Sequence, residues 1–295
     1  MEDRRGIYWT FDFMALKGLI AELPPPPSGR AGWPWTEETD PVVYNEPPIT
    51  GMWPKITIVC PSFRQGSFIE ETIRSVLLQN YPRLEFIIMD GGSQDETVPR
   101  LNQYSRWITH WESVPDRGQA HALNKGFARA TGELYGWINS DDYYLPNAFA
   151  AVARVCPKPR RKLLLYGHQV HLQDASDHRE TVRMPRLFAF EIYAGGVTLP
   201  SHATFWTAAA HLPFDERLRF IMDADLFKRM TAAGTRVRRV DAPLGAFRLH
   251  QKTKTAMISE RGRQETERWL ATMPRRHWWL LWQWHRILSR FRRIF

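Results

Sequence analysis

Cysteine is almost absent from this chain. Cys60, inside an apolar run, and Cys156, before a proline, are the two in 295 residues. They form no disulfide framework and have no zinc-ligand spacing, so a reducing compartment is expected. Long apolar runs are missing too: none approaches the ~20 residues that a spanning helix needs. The opening residues Met1-Glu-Asp-Arg-Arg5 lack the charged-then-apolar layout of a secretory signal. No segment repeats another. Acid is absent from residues 275–295, which hold six arginines: Arg275, Arg276, Arg286, Arg290, Arg292 and Arg293. With a net charge of +9, two thirds of the excess sits there and the remainder of the chain is nearly balanced. Nucleic acid is therefore excluded as a partner of the body, and the charge reads as a localised basic appendage. The expected location is the cytoplasm, with peripheral attachment to the inner face of the cell membrane as an extension of that reading.

What is present changes along the chain. Residues 1–54 hold nine prolines, including Pro24-Pro-Pro-Pro27, with Trp33, Trp35 and Tyr44 between them. They read as a polyproline-like extension that packs a few aromatics onto the body, with a short helix over Phe11–Ile20. From Lys55 a strand–helix alternation begins. Lys55–Cys60 is β-branched and apolar, as in a strand buried on both faces. Ser67 and Glu70 have the spacing of a capping box ahead of a helix over Phe68–Gln79. Leu84–Asp90 is a second strand, Gly91–Asp95 turns into another helix, and a third strand lies near Thr109–Glu112. A helix over Gln119–Arg129 and a strand over Leu134–Ile138 complete the series. This rhythm means right-handed βαβ units and a mostly parallel sheet. The second half is less regular: a helix over Asn147–Val155, strands at Lys162–Tyr166 and Ala203–Trp206, and a helix from about Ala224 to Ala233. The predicted class is α/β, one Rossmann-like domain with a mostly parallel mixed central sheet. The boundaries are 1–54 for the extension and 55–255 for the main domain, in two halves, 55–142 and 143–255. Residues 256–295 are the tail.

Three strand ends in the first half carry polar or acidic groups: Pro61-Ser62, Asp90 and Asp141-Asp142. In a parallel sheet such ends share one edge, where open α/β folds bind ligands. Adjacent acids after a strand are either a solvated turn or oxygen ligands for a hard cation shared with substrate phosphates. Between them, Asp116-Arg-Gly-Gln-Ala-His-Ala-Leu-Asn-Lys-Gly126 offers Arg117 and Lys125 near a helix start, suited to phosphate. Together they read as a nucleotide-diphosphate site with a metal.

Pro61-Ser-Phe-Arg-Gln-Gly66, Asp90-Gly-Gly-Ser-Gln-Asp95, Asp116–Gly126 and Trp137-Ile-Asn-Ser-Asp-Asp142 resemble, in order and spacing, the successive signatures of glycosyltransferase family 2. The resemblance covers about residues 55–255 and implies that they are a catalytic domain, with 55–142 the nucleotide-binding half and 143–255 the acceptor-binding half. It implies an A-type glycosyltransferase fold, a nucleoside-diphosphate sugar as donor (uridine diphosphate by preference), Mn²⁺ or Mg²⁺, and inversion at the anomeric carbon. By the same resemblance Ser62, Phe63, Asp90 and Arg117 contact the nucleoside, Asp141 the sugar nucleotide and Asp142 the cation. Phe220-Ile-Met-Asp-Ala-Asp-Leu-Phe-Lys-Arg229 resembles the segment whose first aspartate is the catalytic base, which points to Asp223; Asp225 is the second candidate. His250, in Phe247-Arg-Leu-His250, matches a strand-end histidine that completes the metal shell in some relatives. Ser201-His202 sits where relatives line the acceptor side, and a hydrogen-bonded turn histidine is the other reading of His202. Phe63 and Arg64 depart from the usual tyrosine and asparagine, Asp95-Glu-Thr97 from Asp-Gly-Thr, and Met222 from glutamate.

Gln264-Glu-Thr-Glu-Arg-Trp269 resembles the Gln-x-x-Arg-Trp of processive synthases with one residue too many, so a non-processive enzyme is expected. Its acceptor would be a glycan or lipid-linked hydroxyl, in cell-surface polysaccharide or glycoconjugate synthesis. The alternatives are a catalytically idle nucleotide-sugar-binding scaffold and a sugar nucleotidyltransferase. The latter needs a glycine-rich basic loop after the first strand, and Pro61–Gly66 is not one. In the tail, Leu280, Trp284, Ile287, Phe291 and Phe295 recur at helical spacing opposite Arg286, Arg290 and Arg293. That pattern suits an interfacial membrane helix or a helix docked on protein.

Overall fold

The computed structural model describes residues 17–48, 51–156, 160–174, 178–195, 198–250 and 260–272. The arginine-rich tail pattern and most of the Phe11–Ile20 segment lie outside the described residues, and Lys17–Ile20 is irregular rather than helical.

The expected alternation is present. Strand β1 (Ile56–Ser62) is followed by helix α1 (Ile69–Leu77), β2 (Leu84–Asp90), α2 (Thr97–Tyr104), β3 (His110–Ser113), α3 (Gln119–Phe127) and β4 (Leu134–Trp137). β1 is buried along its whole length, which explains its β-branched and largely apolar sequence. It pairs in parallel with β2 on one side and β4 on the other, and β2 pairs in parallel with β3. The capping box does not form. Phe68 occupies the N-cap of α1 without a side-chain cap, and Glu70 turns inward to accept from the Tyr104 hydroxyl at 2.8 Å and pair with Arg100 at 3.2 Å. A buried partner on α2 thus outcompetes a local cap.

Beyond β4 the sheet becomes mixed. The elements are β5 (Tyr143–Tyr144), α4 (Ala148–Val155), β6 (Leu163–Gln173), β7 (His178–Val182), α5 (Ala189–Gly195), β8 (Thr204–Thr207), α6 (Met222–Ala232), β9 (Arg236–Leu249) and α7 (Glu260–Ala271). The strand order is β3-β2-β1-β4-β8-β6-β9-β5, with β7 beside β6. β8 enters antiparallel to both β4 and β6, while β9 runs parallel to β6 and antiparallel to β5. Pro243 sits at the register shift between β6 and β9, a bulge position that tolerates a missing N–H. The pairing Tyr143↔Ala246 and Tyr144↔Gly245 delivers the end of β9 to the acid pair that precedes β5. Gly245 is required there, because a Cβ would collide with the His202 carbonyl oxygen.

The proline-rich segment joins the hydrophobic cluster formed by β1, α1 and α4. Trp33, Trp35, Tyr44 and Trp53 are buried. The indole of Trp33 donates to the Tyr144 carbonyl at 2.7 Å, and the Tyr44 hydroxyl to that of Gln79 at 2.8 Å. Arg74, fully buried on α1, donates to the carbonyls of Pro24, Pro34 and Trp35 and to the Tyr104 hydroxyl. A cation placed among otherwise unpaired carbonyls gives this irregular stretch a fixed path.

Glu85 on β2 ties three strand beginnings together. Burial alone would raise its pKa, but Lys55 at 2.7 Å and hydrogen bonds from Thr131 and Thr57 bring it down to about 2 from 4.5. A folded value below the unfolded one means a stabilisation that is full above pH ~4.5 and lost as pH falls toward 2. In Glu85→Gln the melting temperature should therefore lie below wild type at pH 7 and converge with it between pH 4.5 and 2. A difference that stays constant across that range would contradict the assignment.

Candidate functional site

A cavity of about 640 Å³ opens where the carboxyl ends of β1 and β4, the starts of α3 and α6, and the end of β9 converge. Ser62, Phe63, Arg117, Asp141 and Asp223, from four separate segments, all line it. Of the strand-end residues expected to share one edge, Ser62 and Asp141 are on the wall, and Asp90 and Asp142 are not.

Ser62 closes β1. Its Oγ is buried and has no hydrogen-bond partner among the described residues, so a ligand atom would satisfy a group that is otherwise costly to bury. Phe63 is 53% exposed, with the Arg64 guanidinium 5.1 Å from its ring centroid. An open aromatic face there suits stacking against a base. Arg64 itself adopts a left-handed conformation (φ 55°), and its N–H donates to the Ser93 hydroxyl at 2.7 Å.

Asp90 stands behind the cavity wall, not on it. Its Oδ2 accepts from the N–H groups of Gly92 and Ser93 and from the Ser113 hydroxyl, and its Oδ1 accepts from the Ser93 hydroxyl. The carboxylate shapes the loop and leaves Gly91 as the lining residue. Arg117 lies at the rim, 67% exposed, and reaches Glu216 at 2.6 Å. Lys125 turns to Glu112 instead.

The acid pair is divided: Asp141 lines the cavity, and Asp142, expected to hold the cation, does not. Asp142 is 1% exposed and faces the interior. Its Oδ1 accepts the Arg248 N–H at 3.0 Å, its Oδ2 accepts from the Asn139 amide at 3.2 Å, and its carbonyl accepts from the Thr72 hydroxyl. Burial first, and the neighbouring Asp141 charge second, push its pKa well above the carboxylate range. Asp141 is the carboxylate on the cavity wall, with Oδ2 3.2 Å from His250 Nε2. The His250 ring is itself packed against Phe68 at 4.6 Å. Asp141 and Asp142 lie in the turn that the Asp142 N–H closes onto the Asn139 carbonyl at 3.1 Å, and the backbone of β9 fixes which carboxylate goes in. Among the described residues no three His, Cys, Asp or Glu side chains cluster as a metal site. One carboxylate oxygen and one imidazole nitrogen nevertheless fit a cation that takes its remaining ligands from substrate phosphates and water, Mn²⁺ more readily than Mg²⁺.

Asp223 lies in the first turn of α6 on the wall, with Oδ1 accepting the Ala224 N–H at 2.8 Å. Asp225 is not on the wall; it pairs with Arg229 one turn on, at 2.6 Å. His202 is also set back. It is buried, stacked on Phe247 at 5.6 Å, and its pKa is lowered to about 3 by burial and then by His171, which keeps it neutral. Its neighbour Ser201 and the partner Phe247 line the cavity.

Several lining residues went unread in the sequence. Gln119 donates to Asn139 at 2.7 Å, joining the start of α3 to the end of β4. Arg219 stands immediately before the Phe220–Arg229 segment, whose first residue also lines the cavity, and Arg219 donates to the Arg117 carbonyl. The proximity of Arg219 to Asp223 in sequence was the available signal. Arg248 gave none, since a 4%-exposed arginine is an exception to ordinary burial preferences.

The two aspartates should separate experimentally. Asp142→Ala strips a buried acceptor from the Arg248 N–H and from Asn139, and should lower unfolding free energy by about 2–3 kcal/mol. Asp141→Ala should stay within about 1 kcal/mol of wild type, because a single hydrogen bond to His250 is lost while repulsion of Asp142 is relieved. Denaturant titration checks both, and equal losses would contradict the inward and outward assignment.

The described folding units match known proteins. The family model for glycosyl transferase family 2 matches residues 57–208, just over half of the chain. An uncharacterized glycosyltransferase of Mycobacterium tuberculosis is 32% identical over 158 residues, 52% of this chain and 58% of that protein. S. aureus TarS 1–349 in complex with UDP-GlcNAc superposes with a TM-score of 0.55 at 18% identity, over 72% of this chain and 64% of that one. The mannosyltransferase PcManGT from Pyrobaculum calidifontis, in complex with GDP-Man and Mn²⁺, gives 0.54 at 18% identity, over 72% and 63%. The chain thus spans roughly three fifths of each of these proteins. At these identities the two structures speak for the fold, and the family match rests on the segment that holds β1 to β8: the chain belongs to glycosyltransferase family 2.

Proposed function

We propose that this glycosyltransferase is metal-dependent and inverting, and moves one sugar from a nucleoside-diphosphate sugar, a UDP-sugar by preference, to a hydroxyl of a glycan or lipid-linked acceptor. The observation that carries the reading is the sharing of one cavity wall by Asp141 and Asp223 together with Ser62 and Phe63. A nucleotide site and a candidate base thereby face the same space. The complexes of TarS with UDP-GlcNAc and of PcManGT with GDP-Man and Mn²⁺ support the donor class and the use of a divalent cation.

The chemistry follows from the lining residues. Phe63 offers a face to the base, and Ser62 a hydroxyl to the nucleoside. The acceptor hydroxyl attacks the anomeric carbon while Asp223 takes its proton, a role that needs one carboxylate within reach of the acceptor. The bond from that carbon to the diphosphate oxygen breaks, and a single displacement leaves the anomeric configuration inverted. Negative charge that accumulates on the departing diphosphate meets the guanidinium groups of Arg117 and Arg219 at the cavity. Asp141 and His250 would hold Mn²⁺ or Mg²⁺, which supplies further positive charge against the diphosphate when bound. Neutral His202 supports Phe247 from behind and takes no proton near pH 7.

Asp223→Asn keeps size and packing but removes the proton acceptor. Release of nucleoside diphosphate from a panel of UDP- and GDP-sugars with Mn²⁺ should fall by about 10²-fold or more, with UDP affinity unchanged by calorimetry. Turnover that persists at the wild-type rate would exclude Asp223 as the base.

A further inference from the structure

We infer that Glu265 on α7 is a positioning residue for this site: its carboxylate holds the loop that carries Arg219 and Phe220 and, through it, the first turn of α6 with Asp223. The inference rests on the proposed reading of Asp223 as the base. Glu265 belongs to the Gln264–Trp269 segment, whose spacing departs from the processive pattern and which the reaction itself leaves unused.

The N-terminal turn of α6 has no cap of its own, since Ile221 at the N-cap makes no side-chain capping bond. The first N–H groups of a helix have no partner inside it. Here three consecutive N–H groups just ahead of the helix converge on one carboxylate from a different helix. Glu265 Oε1 accepts from Arg219 at 3.0 Å, Phe220 at 2.7 Å and Ile221 at 3.0 Å, and Oε2 accepts from Arg219 at 2.9 Å. A negative charge at that end is also favoured by the helix dipole.

A second contact supports the same geometry. Gly262, Glu265 and Trp269 recur at spacings of three and four, which places them on one face of α7. A Cβ on Gly262 would stand 3.1 Å from the Phe220 ring, so the helix backbone lies directly against a residue of the cavity wall. Trp269 is buried and packs in one cluster with Ala224, beside Asp223. α7 therefore touches the segment around the base at three successive points. Substrate need never reach Glu265; its effect passes through backbone.

The test compares Glu265→Ala with Glu265→Gln in the full chain, with Asp223→Asn alongside. Hydrogen–deuterium exchange should show amides 219–221 exchanging about tenfold faster or more in Glu265→Ala, while β1 and β2 stay as protected as in wild type. For nucleoside diphosphate release, kcat should fall about tenfold with donor KM within threefold, because the base is misplaced while the nucleoside contacts remain. Glu265→Gln keeps an acceptor oxygen at the same reach and should restore kcat to within about threefold of wild type. Exchange and kcat within twofold of wild type in Glu265→Ala would overturn the inference, as would faster exchange spread evenly over the sheet. If Asp223→Asn turns over normally, the reading of the base fails, and the exchange measurement still decides whether Glu265 holds the loop.

Discussion

The site depends on one buried cation. The Arg248 guanidinium, 4% exposed, reaches Glu71 on α1 at 2.7 Å, Asp174 after β6 at 2.8 Å and the Asp141 carbonyl at 3.0 Å. Its own N–H is the group that turns Asp142 inward. It lies over the rings of Phe68 and Tyr143 as well. Burial pushes the Glu71 carboxyl up, against the pull of Arg248, while the acids around Arg248 hold the guanidinium charged. Removing one member of such a buried network typically costs about 3–5 kcal/mol, because the partners are left uncompensated. The network joins α1, β6, β9 and the turn after β4, and it decides which of two adjacent carboxylates faces the ligand.

Charge in the cavity is mixed for a chemical reason. Asp116, Asp141 and Asp223 face Arg117 and Arg219 across the wall. A diphosphate needs cations near it, and a base needs to remain an anion. The fold meets both requirements by spacing: Arg117 and Arg219 come from the start of α3 and the segment before α6, while Asp141 and Asp223 come from the end of β4 and the first turn of α6. Asp90, which might be expected to add a further charge, is instead consumed in shaping its own loop.

Much of this was legible in the residues. β-branched and largely apolar runs such as Ile56–Cys60 and Phe86–Met89 mark parallel strands, because both faces of such strands are covered. The acids at their ends followed from topology alone. The second half was opaque for equally physical reasons. β9 spans 14 residues but contains Arg236, Arg238, Arg239 and Pro243, which hide a strand whose register shifts. The division of Asp141 from Asp142 is set by a backbone N–H 106 residues away, and no local pattern reports it. The capping box at Ser67 failed because Glu70 found Tyr104 and Arg100. The aromatics of the proline-rich segment were read as packing on the body, and the anchor that fixes them, Arg74, was visible only once folded.

The central claim is that Arg248 presents Asp141, and not Asp142, to a nucleotide and its cation. Calorimetric titration of UDP with and without Mn²⁺ tests it most directly. Mn²⁺ should tighten UDP binding in the wild type, and that gain should vanish in Asp141→Ala at unchanged thermal stability. Retention of the full Mn²⁺ gain in Asp141→Ala would contradict the account.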